Sequence, residues 1–165
     1  MIDRKKTEEK VKRILKENDM FKVPVDPIAL AKKFSIDVKN AVFDDSTMSG
    51  MIAKRDRKAM ILVNINDSPF RKRFTIAHEL GHYFLHLDNG GEFVDNITDL
   101  FRGDFEIEEG DKKEIEANYF AAALLMNEEL IRLKWPQYKD IDSMANLFKV
   151  SREAMSIRLK NLRLI

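Results

Sequence analysis

Every histidine in the chain lies in one stretch, FTIAHELGHYFLH, as His78, His82 and His86, each four residues after the last. Positions four apart on an α-helix differ by about 40° around the axis and about 6 Å along it. His78 and His82 therefore project from one face and can grip one ion, and neutral imidazole suits zinc at roughly 2.0–2.1 Å. Glu79 follows His78 directly and points about 100° away. It is badly placed to ligate the same ion but well placed to take a proton from a water beside it. That is the chemistry of the H-E-x-x-H pattern: two ligands and a general base for metal-assisted hydrolysis. The stretch is otherwise apolar, with Phe74, Ile76, Ala77, Leu80, Phe84 and Leu85. Buried histidines need partners, and metal ligation provides one. Gly81 has no side chain, so a neighbouring element can pack close there.

A catalytic zinc needs a third protein ligand and one open position. His86 is nearest, but three successive i, i+4 side chains span about 12 Å along a straight helix, too far for one ion. YFL separates His82 from His86 without a break, so His86 reads as a residue that supports a ligand or the fold. A second helical stretch, EIEANYFAAALLM, places Glu114, Ala117, Asn118 and Ala121 on one face. Glu114 could aim at the ion while Asn118 bonds one of its ligands. Equally, Glu114 is an ordinary first-turn glutamate, favourable at a helix N-terminus. Glu116 lies about 160° further round and is expected to face solvent.

The elements that must hold these residues can be read in outline. Residues 4–18 carry Val11, Ile14 and Leu15 at helical spacing. Asp26 and Pro27 open a second helix, ending near Phe34, as N-cap and first helical residue. IDVKNAVF, SGMIAKR and AMILVNIN read as three short strands. Ser68 and Pro69 then start the histidine helix, expected over about 69–87. Asp88 to Gly110 reads as a long connection with a short possible strand, and connections of that length are often functional. Asn127 can cap a helix beginning NEEL. The tail reads as two short helices, the second capped by Ser151, with Met144, Leu147, Val150, Met155, Ile157, Leu159 and Leu162 as its core side.

Composition sets outer limits. The chain has 165 residues, enough for one domain with a real core. It carries 29 basic and 28 acidic residues, a net charge of +1, which gives no average drive toward nucleic acid or membranes. Without cysteine, disulfides, thiolate-ligated zinc and a cysteine nucleophile are excluded. No secretory leader and no membrane-length apolar run is visible, so the expected location is the cytoplasm.

RFTIAHELGHYFLH followed by EIEANYFAAALLM resembles the ImmA/IrrE family of metallopeptidases. DPIALAKKFSIDV, SGMI and MANLFKVSREAMSIRLKNLRLI resemble family features as well, so the likeness covers nearly the whole chain. It implies an α+β, zincin-like fold: a small three- to four-stranded sheet packed on a helical core that carries H-E-x-x-H, with a short helical C-terminal segment. It implies zinc as cofactor, held by His78, His82 and Glu114, with Glu79 as catalytic base. It also implies a regulatory protein as substrate, a helix-turn-helix repressor or an antitoxin of a mobile element or stress response. One departure is Asn127, where the family often has proline; it leaves helix initiation intact. The expected division is a metallopeptidase domain over 1–139 and a helix-turn-helix-like segment over 140–165 of the same globule.

The group that would stabilise an oxyanion is not legible. Tyr119 and Arg102 are polar candidates that read first as structural or surface residues. One rival reading is DNA binding by the tail through Arg152, Arg158, Lys160 and Arg163. A packed helical pair, with Arg158 and Lys160 on its surface, fits the near-neutral charge better. Another rival is a zinc-containing partner-binding module without turnover, such as one half of a toxin–antitoxin pair.

Overall fold

The fold is α+β. The structure, a computed structural model, describes residues 3–45, 47–55, 58–87 and 107–165. Among them are seven α-helices and one three-stranded sheet. Helix α1 (Arg4–Glu17) starts at Asp3, whose carboxylate accepts from the Lys6 N–H at 3.0 Å. It buries Val11, Ile14 and Leu15, the stripe its sequence spacing predicts. Helix α2 (Pro27–Lys33) starts at Asp26, which accepts from the N–H groups of Ile28 and Ala29, and ends at Phe34.

Three strands follow: β1 (Ile36–Ala41), β2 (Gly50–Arg55) and β3 (Lys58–Asn64). Their order is β1-β3-β2. The central strand β3 pairs parallel with β1, Val38 opposite Ile61, and antiparallel with β2, Ile52 opposite Ile61. Ala59, Ile61 and Val63 alternate into the core, as a half-buried strand requires. No helix among the described residues is long and apolar enough to cross a membrane.

Ser68 caps α3 (Pro69–His82) by accepting from the Arg71 N–H. The α-helix does not run on to 87 as the sequence suggests. It widens into a π-helical turn over Tyr83–Leu87. No glycine or proline marks the change, and its cause is tertiary. Lys10 donates its ammonium to the Phe84 carbonyl, and Lys54 donates to the Leu87 carbonyl at 3.4 Å. Carbonyls released from the α-helical ladder are thereby satisfied. Phe84 is fixed between Phe34 and Phe120, with ring centroids 4.8 and 5.7 Å away.

Helix α4 (Ile107–Leu125) begins earlier than the sequence suggests, with Gly110 inside it rather than before it. The possible strand and Arg102 lie outside the described residues. Helix α4 crosses α3 at very short range. A Cβ built on Gly81 would lie 3.0 Å from both the Cα and the carbonyl oxygen of Ala117 and 3.2 Å from the Cβ of Phe120. Two backbones meet there because Gly81 has no side chain and Ala117 only a methyl group to hold them apart. Gly81→Val should therefore destabilise the fold by about 1–3 kcal/mol, the usual cost of overpacking. That exceeds the gain of up to about 1 kcal/mol from removing a helical glycine. Urea unfolding checks it, and a variant as stable as the parent would show that the two helices can separate freely.

Helices α5 (Glu128–Tyr138), α6 (Ile141–Phe148) and α7 (Arg152–Asn161) complete the chain, capped by Asn127, Asp140 and Ser151. Met144, Phe148, Val150, Met155, Leu159 and Leu162 are buried. Ile157 is not; it is 53% exposed. Arg158, expected at the surface, is 3% exposed. It pairs with Glu8 of α1 and donates from Nε to the Met126 carbonyl at 2.9 Å. Glu8 also accepts from the Tyr119 hydroxyl at 3.1 Å. On the other side, Arg73 of α3 donates to the carbonyls of Val25 at 2.7 Å and Lys149 at 3.0 Å. The α6–α7 turn is thus tied to the start of the histidine helix.

Candidate metal centre

Helices α3 and α4 run antiparallel across the Gly81–Ala117 contact, so the register of their facing side chains is fixed. His82 faces Glu114, and one turn away His78 faces Asn118. The Nε2 atoms of His78 and His82 lie 3.0 Å apart. The two carboxylate oxygens of Glu114 lie 3.1 Å from them, Oε2 from His78 and Oε1 from His82. Donors arranged tetrahedrally 2.0–2.1 Å from one ion would be about 3.3 Å apart. These three residues are the group of potential metal ligands found among the described residues. Both histidine side chains are largely buried, 15% and 18% exposed, while Glu114 is 57% exposed and opens the cluster to solvent.

Three further observations fit a cation here. His78 Nδ1 lies 2.9 Å from Asn118 Oδ1, which can accept its proton; in the neutral ring this leaves the Nε2 lone pair directed at the cluster, whereas the protonated ring donates from Nε2 to Glu114. Hydrogen bonds from His78 and then His82 hold the Glu114 carboxyl far below the ordinary carboxylate range, against its partial burial. For His78, burial pulls the imidazole down, but the Glu114 hydrogen bond and the charges of Glu79 and Glu114 outweigh it and raise it. Both shifts follow from one fact of geometry: the imidazoles and the carboxylate lie against each other. Two imidazoles and a carboxylate are a donor set suited to zinc.

Glu79 lies on the neighbouring face of α3, 6% exposed. Burial pushes its carboxyl above the ordinary range, with a contribution from the Glu114 charge; His82, His78 and the Ile52 N–H pull the other way. Strand β2 forms the wall beside it. A Cβ on Gly50 would be 2.3 Å from Thr75 Cγ2 and 2.8 Å from the Leu62 carbonyl oxygen, with Glu79 Oε1 3.8 Å away. Glycine is therefore needed at 50 for α3 to bring Glu79 against the strand. The sequence marks this position only as a glycine opening a strand, a recognised sign of close backbone approach.

His86 stays outside the cluster. Its Nε2 lies 3.4 Å from the Lys113 carbonyl oxygen and 3.9 Å from Glu116 Oε2. Burial, then the His82 charge, lowers its affinity for a proton. Glu116, expected in solvent, is partly buried beside it. The π-helical turn keeps His86 next to His82, with ring centroids 5.5 Å apart. Tyr119 is directed at Glu8 rather than at the cluster. The buried Arg158 also removes one of the four cations on which a DNA-binding tail would rely.

The chain is also similar to known proteins. Metallopeptidase ImmA of Bacillus subtilis is 30% identical over 88 residues, which are 53% of this chain and 47% of that protein. The chain thus spans about half the length of the curated relative it matches. A transcriptional regulator of Mycobacterium tuberculosis shares the fold, with a TM-score of 0.64 at 21% identity, over 93% of this chain and 46% of that one. Residues 31–160 match the peptidase family described as the IrrE N-terminal-like domain. That span holds the histidine helix, the facing glutamate and the glycine contact that sets their spacing, and the chain belongs to this family.

Proposed function

We propose that the chain is a zinc-dependent endopeptidase whose ligands are His78, His82 and Glu114 and whose general base is Glu79. The observation that carries this reading is the convergence of two Nε2 atoms and one carboxylate within 3.1 Å, with a buried glutamate one residue from the first ligand. A zinc ion held there would supply Lewis acidity, polarising a peptide carbonyl and making a water beside it far more acidic.

The protein's own groups supply the rest. Asn118 holds His78 in the tautomer that presents Nε2. Glu79 takes the proton of the attacking water and passes it to the leaving amine nitrogen. The Gly50 end of β2 and Thr75 keep water from the inner side of that carboxylate. The substrate we assign is a regulatory protein, of the helix-turn-helix repressor or antitoxin type that the family resemblance implies.

Glu114→Ala should lower zinc affinity by more than 100-fold, and Asn118→Ala by about 10–100-fold, the usual effect of removing a ligand's hydrogen-bond partner. Competition with a chromogenic chelator on the purified chain measures both. Unchanged affinity in Glu114→Ala would reject this ligand set and turn attention to Glu116 and His86.

A further inference from the structure

The antiparallel register of α3 and α4 continues beyond the metal cluster. One turn back along α3 from His78 is Phe74, and one turn on along α4 from Asn118 is Ala122. These two residues line a cavity of about 320 Å³, which also includes Asn118 itself. Met126, just past the end of α4, also lines it, as do Ala154 and Ile157 of α7. Ile157 is the residue whose spacing predicts a core position and which is instead 53% exposed. It faces this groove without filling it. The one guanidinium in the wall, Arg158, is taken up by Glu8 and the Met126 carbonyl. Tyr119, Ser151, Glu153 and Asn161 also line the groove, but its lining is mainly apolar, and it begins at the residue that orients a proposed zinc ligand.

We propose that this groove is the principal specificity pocket of the peptidase and takes one large apolar side chain, of the leucine, methionine or phenylalanine class. That side chain belongs to a residue within two positions of the scissile bond. The inference rests on the reading of the metal cluster as a peptide-cleaving centre. The distance argument is simple. One helical turn displaces the groove by about 6 Å from the cluster, and an extended chain advances 3.3–3.6 Å per residue. A polypeptide with its carbonyl at the cluster thus brings a side chain to the groove one or two residues away. The small residues Ala122 and Ala154 leave the room, and Phe74, Met126 and Ile157 supply the apolar contact. The outward side of α7, in this arrangement, reads a side chain rather than a DNA groove.

The test uses the zinc-loaded full chain and hydroxamates, which chelate the ion. Acetohydroxamate is compared with an analogue extended by a residue bearing an isobutyl side chain and with its glycine counterpart. Isothermal titration calorimetry should show the isobutyl compound binding at least about tenfold tighter than the glycine one. Ala154→Phe, which fills the groove, and Ile157→Asp, an exposed position that should not disturb folding, should each reduce that ratio below about threefold. Both should leave acetohydroxamate affinity unchanged. A ratio near one in the parent chain, or one that survives both substitutions, overturns the proposal. If acetohydroxamate fails to bind the parent chain, it is the metal reading that has failed. Methyl NMR of Ile157 and Met126 then decides the groove separately: N-acetyl-leucinamide at millimolar concentration should shift these methyls and N-acetyl-glycinamide should not, and equal or absent shifts overturn it.

Discussion

Glu79→Gln leaves the metal bound and the chain folded, and slows peptide cleavage by about 10²–10⁴-fold, the usual contribution of a general base. The glutamine has nearly the same shape, so its packing against Thr75 and the Gly50 end of β2 is kept. It can still accept a hydrogen bond from the Ile52 N–H that now faces the carboxylate. What it lacks is a site for the water's proton. The contrast with Glu114→Ala makes the two roles separable: one variant keeps zinc and loses turnover, the other loses zinc. Cleavage of a partner regulator, followed by gel and mass spectrometry alongside metal content, measures both. A Glu79→Gln chain that cuts within a few-fold of the parent would move the proton-transfer role to another residue. If that variant retained the full biological effect, a partner-binding module without turnover would become the better reading.

Arg158→Ala should destabilise the protein by about 3–5 kcal/mol, as expected when one partner of a buried ion pair is removed. Two polar groups lose a partner and one helix an attachment. Glu8 keeps only the Tyr119 hydroxyl and a long contact of 3.4 Å from the Glu128 N–H. The Met126 carbonyl loses its donor. The α7 helix loses its polar attachment to α1 and α4. Against a typical total of 5–15 kcal/mol, this is enough to leave the chain partly unfolded at ordinary temperatures. The paired change Glu8→Leu with Arg158→Met should recover much of the loss, because apolar replacement of a whole buried pair is often neutral. Urea unfolding followed by circular dichroism gives both values. A loss below about 1 kcal/mol for Arg158→Ala would place the guanidinium in solvent, where the sequence had suggested it.

These two residues mark where sequence reading succeeds and where it stops. The shared face of the histidine pair and the grouping of Glu114 with Asn118 were legible because helical periodicity is local, but periodicity left Glu114 open between a ligand and an ordinary first-turn glutamate, and only the family resemblance favoured the ligand. Once residues four apart share a face, only the pairing of two helices remains to be found, and the small residues Gly81 and Ala117 mark their contact. The caps Asp26, Ser68, Asn127 and Ser151 were legible for the same reason, since each acts within three residues of itself. Arg158 was not, because its partner lies 150 residues away and nothing near it distinguishes a buried arginine from an exposed one. The π-helical turn was hidden likewise, being fixed by Lys10, which is 74 residues from the carbonyl it holds. Ile157 misled because apolar periodicity does not separate a core position from the wall of an open groove.

The Glu8–Arg158 pair also sets a schedule. At the 5–20 residues per second of ordinary translation, roughly 8 to 30 seconds separate the synthesis of its two halves. During that interval α1, α3 and α4 can collapse on the sheet, and His78, His82 and Glu114 are all already made. Glu8, however, still lacks its cation and the Met126 carbonyl its donor, so α4 is tied to α1 by the Tyr119–Glu8 hydrogen bond but not yet by Arg158. A protease that assembled its ligands early would be free to cut while still on the ribosome. Here the helix that carries one proposed ligand becomes fully secured only when residue 158 arrives, so a nascent chain holds every part of the centre before it holds the clamp that steadies it.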